Sequence, residues 1–134
     1  MGFKDISQIA GSAMAAQTVR MNTIASNLAN ANAVATSEAE GYRARKPVFA
    51  ALLGDEGVAR VQVLDVVQSS EPLRRAHEPG NPLADADGMV YYTNVNEVAE
   101  MADMMAASRA FETNVEVMGR IKSMQASLLK LGEG

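Results

Sequence analysis

"NTIASNLANANAVATSEAEGYRARK", residues 22–46, begins with the apolar spacing of a helix and ends as a loop. Where it changes decides the fold. Four asparagines, Asn22, Asn27, Asn30 and Asn32, fall within eleven positions of this stretch. Asparagine is a mediocre helix former because its amide competes for backbone hydrogen bonds. An amide on nearly every turn therefore calls for partners outside the helix, or for a helix that frays and caps near 30–32.

Working backward, residues 5 to about 31 read as one helix. Asp5 or Ser7 can cap it and no proline interrupts it. Ile6, Ile9, Ala13, Ala16, Ile24, Leu28 and Ala31 return at spacings of three, four or their sums, a narrow stripe rich in alanine. Working forward, residues 33–93 hold all four prolines and the best turn signals. "VARVQVLDVV" (58–67) reads as a strand whose alternation slips at Leu64, the mark of a bulge or of a two-sided strand. "DADG" (85–88) reads as a turn and "MVYY" (89–92) as a return strand. From Asn94 or Asn96 the chain enters its longest helix, expected to reach about Leu131 before "GEG" ends it. Val98, Met101, Met105, Ser108, Phe111, Val115, Met118, Ile121, Met124, Leu128 and Leu131 recur there as a seam for another helix.

The expected fold is mainly α with a small β-rich insert of short antiparallel hairpins and long loops. Residues 1–32 and 94–134 form one discontinuous helical domain, its two helices pairing in a coiled-coil-like way, and 33–93 an outer region. The insert is too thin to cover the long helix from end to end, so part of the seam stays exposed in a monomer. Exposed apolar stripes mark partners.

Composition narrows function by exclusion. The chain has 134 residues, no Cys, no Trp, six Phe and Tyr, and nine Met. A formal charge of −4 and a pI near 5.0 argue against a nucleic-acid partner. Without cysteine there is neither a disulfide nor a thiolate metal site. The single histidine, His77, sits beside Glu78 in "RRAHEPGNP" and reads as a loop or strand-edge residue. "LADADGMVYYTN" imitates a calcium loop, but Leu83 and Asn94 would stand at the first and twelfth positions, so a β-turn is the better reading. No catalytic residue, cofactor or metal is expected, and no segment has the ~18 apolar residues of a membrane span. The N-terminal residues lack the apolar run of a secretory signal, so export, if any, is expected without a cleaved one.

Two motifs at opposite ends then become specific. "SAMAAQTVRMNTIASNLANANAVATSEAEGYRARKPVF" resembles the N-terminal motif of flagellar rod, hook and filament-axis proteins through Ser12, Ala13, Ile24, Asn27, Leu28, Ala29, Asn30, Asn32, Gly41, Tyr42 and Arg43. "NVNEVAEMADMMAASRAFETNVEVM" (94–118) resembles the partner motif through Asn94, Val95, Asn96, Glu100, Met101, Arg109, Phe111, Asn114 and Val117. The acidic link Ser37–Glu40 is longer than in many members and is similar to that of the proximal basal-body rod proteins.

The resemblance implies a structural rod subunit in the flagellar basal body, crossing the periplasm and transmitting torque. Its terminal helices would form the axial core, with the central part outside. Its partners would be copies of itself, other rod and basal-body proteins, and the flagellar type III export apparatus, with no direct membrane insertion. With the seam, it makes Asn27, Leu28, Asn30, Gly41, Tyr42, Met101, Met105, Phe111, Asn114, Val115, Met118 and Leu128 the candidate assembly contacts. The alternative reading is a helical adaptor or secretion chaperone that binds one partner through the Met-rich seam.

Overall fold

The computed structural model of the chain describes residues 2–133. Helix α1 spans Phe3–Ala29. Its first turn is closed from within: Asp5 Oδ2 accepts from the Gly2 N–H at 2.9 Å, placing a carboxylate at the positive end of the helix. The helix stops two residues earlier than expected. The Asn30 N–H divides between the Ser26 and Asn27 carbonyls at 3.2 Å each, and the Ala33 N–H turns back to the Asn30 carbonyl at 3.0 Å. This tightening is how an α-helix commonly ends.

Helix α2 spans Glu97–Glu133. Of its two candidate caps, Asn96 serves, its Oδ1 accepting from the Ala99 N–H at 3.1 Å. The helix does not stop at "GEG" but runs through Gly132 to Glu133. At 1.5 Å per residue α2 is ~55 Å long and α1 ~40 Å. They run antiparallel. Arg20 reaches Asp103, while Asn27 near the end of α1 and Asn94 just before α2 both bond to the Ala44–Arg45 segment. Helix α2 packs on α1 and on no strand. Its last buried residue is Ile121, and every residue from Lys122 to Glu133 is exposed.

The face that α2 turns inward corrects the expected seam. Its buried or half-buried positions include Glu100, Met104, Ala107, Phe111, Asn114, Met118 and Ile121, alternating in steps of four and three, with Asp103, Ser108, Ala110 and Val117 half-buried at their flanks. Ser108, Phe111, Met118 and Ile121 were on the expected stripe. Val98, Met101, Met105 and Val115 were too, yet are exposed. The helix carries two apolar stripes about one residue apart, and spacing alone favours the one with larger side chains. The closer stripe won: Ala107, with no exposed surface, lets α2 approach the alanine-rich α1 more tightly than methionine could.

The strands of the β-rich insert fall into two small antiparallel sheets. β1 (Val34–Ala35), β2 (Arg45–Leu53), β3 (Ala59–Gln68), β4 (Arg74–His77) and β5 (Met89–Tyr92) follow in chain order. β2 and β3 form a long antiparallel hairpin, and β5 pairs with β1 on one side and β4 on the other. So "VARVQVLDVV" does form a strand and does slip at Leu64. Val48 pairs with Asp65 and Phe49 with Val63, leaving Leu64 as the extra residue. Its partner is not "MVYY" but "RKPVFAALL", whose unalternating apolar run hid a strand. A partner five residues away across a loop forms at low entropic cost.

The hairpin lies along α1. Its base is bonded to Asn27. At mid-length the Val61 N–H donates to Ser12 Oγ at 3.1 Å. Its tip, 54–58, sits over Lys4, Asp5 and Gln8. Since the Val61 N–H points away from β2, the paired Ala51 likewise turns its N–H and carbonyl away from β3, and Phe49 and Leu53 follow. β2 is thus an open edge, with Pro47 at its start where a missing N–H does no harm.

The three-stranded sheet touches neither helix through its strands. Its centre is Val90, fully buried, with Leu73 and Thr93 beside it. The turn at 85–88 is the β-turn expected: the Gly88 N–H donates to the Asp85 carbonyl at 3.0 Å, and Asp85 Oδ1 accepts from the Asp87 and Met89 N–H groups at 2.9 Å each. Gly88 has φ of +75°, a conformation that favours glycine. His77 lies on the edge strand β4.

Leu73 is buried against Gly41, where an added Cβ would overlap the Leu73 side chain. Gly41→Ala is expected to lower stability by about 1–3 kcal/mol through this overpacking, read as a shift in urea midpoint at unchanged slope. Gly11→Ala, with open space around it, serves as the control and is expected to be neutral or slightly stabilising.

Candidate functional site

The loop "GYRAR" (41–45) is where helices, hairpin and small sheet meet, and two asparagines hold it. Asn27 is fully buried. Its Nδ2 donates to the Arg45 carbonyl at 2.8 Å, and its Oδ1 accepts from the Arg45 N–H at 3.0 Å. The same Oδ1 accepts from the Tyr42 hydroxyl at 2.9 Å, which is also within 3.1 Å of Ser26 Oγ. From the other side Asn94 Oδ1 accepts from the Ala44 N–H at 2.7 Å, and its Nδ2 donates to the Glu71 carbonyl at 2.9 Å. Arg43 also ties this loop to the irregular segment that leads into β4, donating to the Glu71 carbonyl at 2.7 Å and pairing with Glu38 at 3.3 Å.

The exposed end of the small sheet has its own polar cluster. The Tyr92 hydroxyl lies 2.9 and 2.7 Å from the two Glu78 carboxylate oxygens, and Arg74 stacks over its ring at 4.5 Å. Donating to Glu78 pushes the Tyr92 phenol above its ordinary value of 10.0, with burial and the carboxylate charge acting the same way and Arg74 opposing. The hydrogen bond therefore supports the fold at neutral pH and is lost as pH rises through that raised value.

The candidate assembly residues divide by burial. Asn27 gives its whole amide to this chain. Asn30 is half-exposed, its Nδ2 donating back to the Ser26 carbonyl at 2.8 Å. Leu28, Gly41 and Tyr42 are half-buried around the clamp. Phe111, Asn114 and Met118 lie on the inward stripe, with Asn114 Nδ2 bonded to the Ala110 carbonyl at 2.8 Å. Met101, Met105, Val115 and Leu128 face outward. The structure thus gathers Asn27, Gly41 and Tyr42 into one site and leaves the four outward residues free along α2.

Sequence reasoning missed three contributors. Asn94 was read as a possible cap but holds Ala44. Ser12 braces the hairpin; it was read only as a motif residue, with no partner assigned. The apolar ribbon Val48, Phe49, Leu52, Leu53, Leu64, Val66 and Val67, all exposed, was hidden because β2 was not read as a strand.

No group of three or more His, Asp or Glu side chains among the described residues is placed to hold a metal ion. No described helix is long and apolar enough to cross a membrane. What the chain offers instead is main-chain clamps and uncovered apolar surface, most of it on α2 and the hairpin.

Comparison with known proteins agrees with this geometry. Residues 8–35 match the family described as flagella basal body rod protein, and residues 86–131 match the C-terminal part of flagellar basal body rod FlgEFG proteins. The chain is similar along its length to flagellar basal-body rod proteins FlgC. It is 44% identical to that of Salmonella typhimurium, over 99% of this chain and 100% of the relative. Identity to that of Escherichia coli O157:H7 is 46%, with the same coverage. To that of Agrobacterium fabrum it is 36%, over 93% of this chain and 91% of the relative.

Replacing Asn27 by Leu strands the Arg45 N–H and carbonyl without partners against a fully buried side chain and leaves the Tyr42 hydroxyl only Ser26 Oγ. A loss of about 2–4 kcal/mol is expected, with early proteolysis in 41–46. Asn30→Ala, which removes one back-bond on a half-exposed turn, is expected to cost no more than about 1 kcal/mol. Urea titration of the two variants distinguishes them.

Proposed function

The chain belongs to the flagellar basal-body rod family, as a structural subunit of the FlgC kind, and on that footing we propose how its parts serve the rod. The α1–α2 pair is its axial core, in coiled-coil-like contact along Glu100, Met104, Ala107, Phe111, Asn114, Met118 and Ile121. Residues 33–93 lie outside that core, and the 41–45 clamp fixes one to the other. The subunit assembles helically with copies of itself and with other rod and basal-body proteins, so that torque passes through helix packing across the periplasm. It reaches that place through the flagellar type III export apparatus without losing a signal peptide.

One observation carries this reading. Beyond Ile121, α2 extends for twelve residues with Met124, Leu128, Leu129 and Leu131 uncovered, and no other element of the chain packs there. Such an apolar overhang is stable in water only when neighbours cover it. Met101, Met105 and Val115 add a second uncovered stripe higher on the same helix. Asn27 serves assembly indirectly, by setting where the hairpin and sheet stand relative to the core, while Asn30 and the exposed methionines meet neighbours directly. The adaptor or chaperone reading is not favoured, since relatives over the full chain are named as rod proteins.

Met105→Glu and Leu128→Glu each place a charge on an exposed site. Free-chain stability is expected to change by less than about 0.5 kcal/mol, while incorporation into rods and motility are lost in a strain lacking the native subunit. Normal motility from both variants would overturn the assignment of these faces.

A further inference from the structure

The β2–β3 hairpin carries opposite charges at its two ends. Its tip, Gly54–Gly57, exposes Asp55 and Glu56. Lys4 and Arg60 line the same shallow groove, yet the only ion pairs among the described residues are Arg20–Asp103 and Arg43–Glu38. The tip therefore keeps two unpaired carboxylates. At the hairpin base a cleft of about 330 Å³ opens between β2, α1 and α2, lined by Arg20, Arg45, Lys46, Phe49, Glu100 and Asp103 among others. Arg20 is spent on Asp103. That leaves Lys46 and Arg45, both exposed and in no ion pair, the Arg45 guanidinium lying over the Tyr42 ring at 5.6 Å, beside one carboxylate, that of Glu100, which is 6% exposed and likewise in no ion pair among the described residues. The base thus has excess positive charge and the tip excess negative charge.

These ends cannot meet within one molecule. Nine strand residues separate them, ~30 Å at 3.3 Å per residue. They meet when a second copy is displaced along the α1 axis, because the base lies beside Asn27 and the tip beside Lys4 and Gln8. We propose that the acidic tip of one copy seats in the basic-edged cleft at the hairpin base of the next, Asp55 and Glu56 meeting Arg45 and Lys46. Charge complementarity of this kind fixes register more than it adds raw affinity. The contact joins two different patches, so it is heterologous, and repeating it by the same displacement gives an open, polar array instead of a closed pair. It rests on the rod reading and supplies that reading with a specific longitudinal contact.

The absence of cysteine allows a direct test on the full chain. A variant carrying both Lys46→Cys and Glu56→Cys, concentrated and mildly oxidised, is expected to give a ladder of dimers, trimers and higher species. An internal disulfide is excluded by the separation of the two sites. A mixture of the two single variants is expected to stop at dimers. In the double-cysteine background, Arg45→Glu or Asp55→Arg alone is expected to reduce the ladder about tenfold, and the two together to restore it. Products that end at dimers in the double variant would mean a two-fold contact and overturn the proposal. So would absence of cross-linking, or charge reversals without effect. Motility of a strain lacking the native subunit separates the two levels. If the wild-type chain restores it and Arg45→Glu and Asp55→Arg do so equally well, the tip-to-base contact fails while the rod reading stands. If the wild-type chain does not, the rod reading fails and takes this contact with it.

Discussion

The pairing of the Asn27 side chain with the backbone of Arg45 is the constraint from which the rest of this structure hangs. A primary amide carries a carbonyl acceptor and an NH2 with two donors, and one N–H together with the oxygen is spaced like the peptide group it faces. Asn27 therefore bonds Arg45 as a neighbouring strand would, and it begins β2 from the side of a helix. Aspartate would supply no donor, and leucine neither group. The Asn27 side chain is fully buried, so losing its bonds would leave the Arg45 N–H and carbonyl facing a side chain that cannot replace them. With Tyr42 adding a third bond to the same oxygen, the site becomes a small closed network.

Why so much depends on one amide follows from how little apolar contact joins the parts. The small sheet does not touch either helix through its strands, and its apolar centre is little more than Val90 and Leu73. The hairpin meets α1 along one edge and exposes most of its large side chains. Neither piece could bury enough surface to be held by hydrophobic contact alone. Directional bonds at 41–45, from Asn27 on α1 and Asn94 before α2, place both pieces relative to the helices. A subunit that carries mechanical load benefits from that arrangement, since hydrogen bonds fix orientation where thin apolar contacts would slide.

Much of this was legible from residue order, and what was not has physical reasons. The two helices, the slip at Leu64 and the turn at 85–88 follow from spacing and turn chemistry that act locally. The asparagine cluster was read as needing partners outside the helix or as fraying its end, and its members divide. Asn27 finds partners fifteen to eighteen residues away in its own chain, whereas Asn30 bonds back to Ser26. The strand β2 escaped because Ala50, Ala51, Leu52 and Leu53 have no period-two alternation, and a ribbon exposed on both faces needs none. The seam on α2 was misplaced for a related reason. Size ranks methionine above alanine as a core residue, yet against an alanine-rich partner the distance of approach decides, and Ala107 allows the closer one. That information lies in the pairing of two helices, not in either alone.

The same geometry explains why the chain stops short of a complete fold. Antiparallel pairing brings the end of α1 and the start of α2 together near the clamp, and α1 is the shorter helix by ten residues, so the far end of α2, Lys122 to Glu133, projects uncovered. Those residues could be covered in only two ways: a longer α1, or another molecule. The clamp opposes sliding α1 along α2 to share the exposure, because Arg45 is bonded to Asn27 on α1 and Ala44 to Asn94, three residues before α2. The overhang is therefore set by the register of the asparagine bonds, and a subunit built this way presents its apolar end at a fixed distance and orientation from its hairpin.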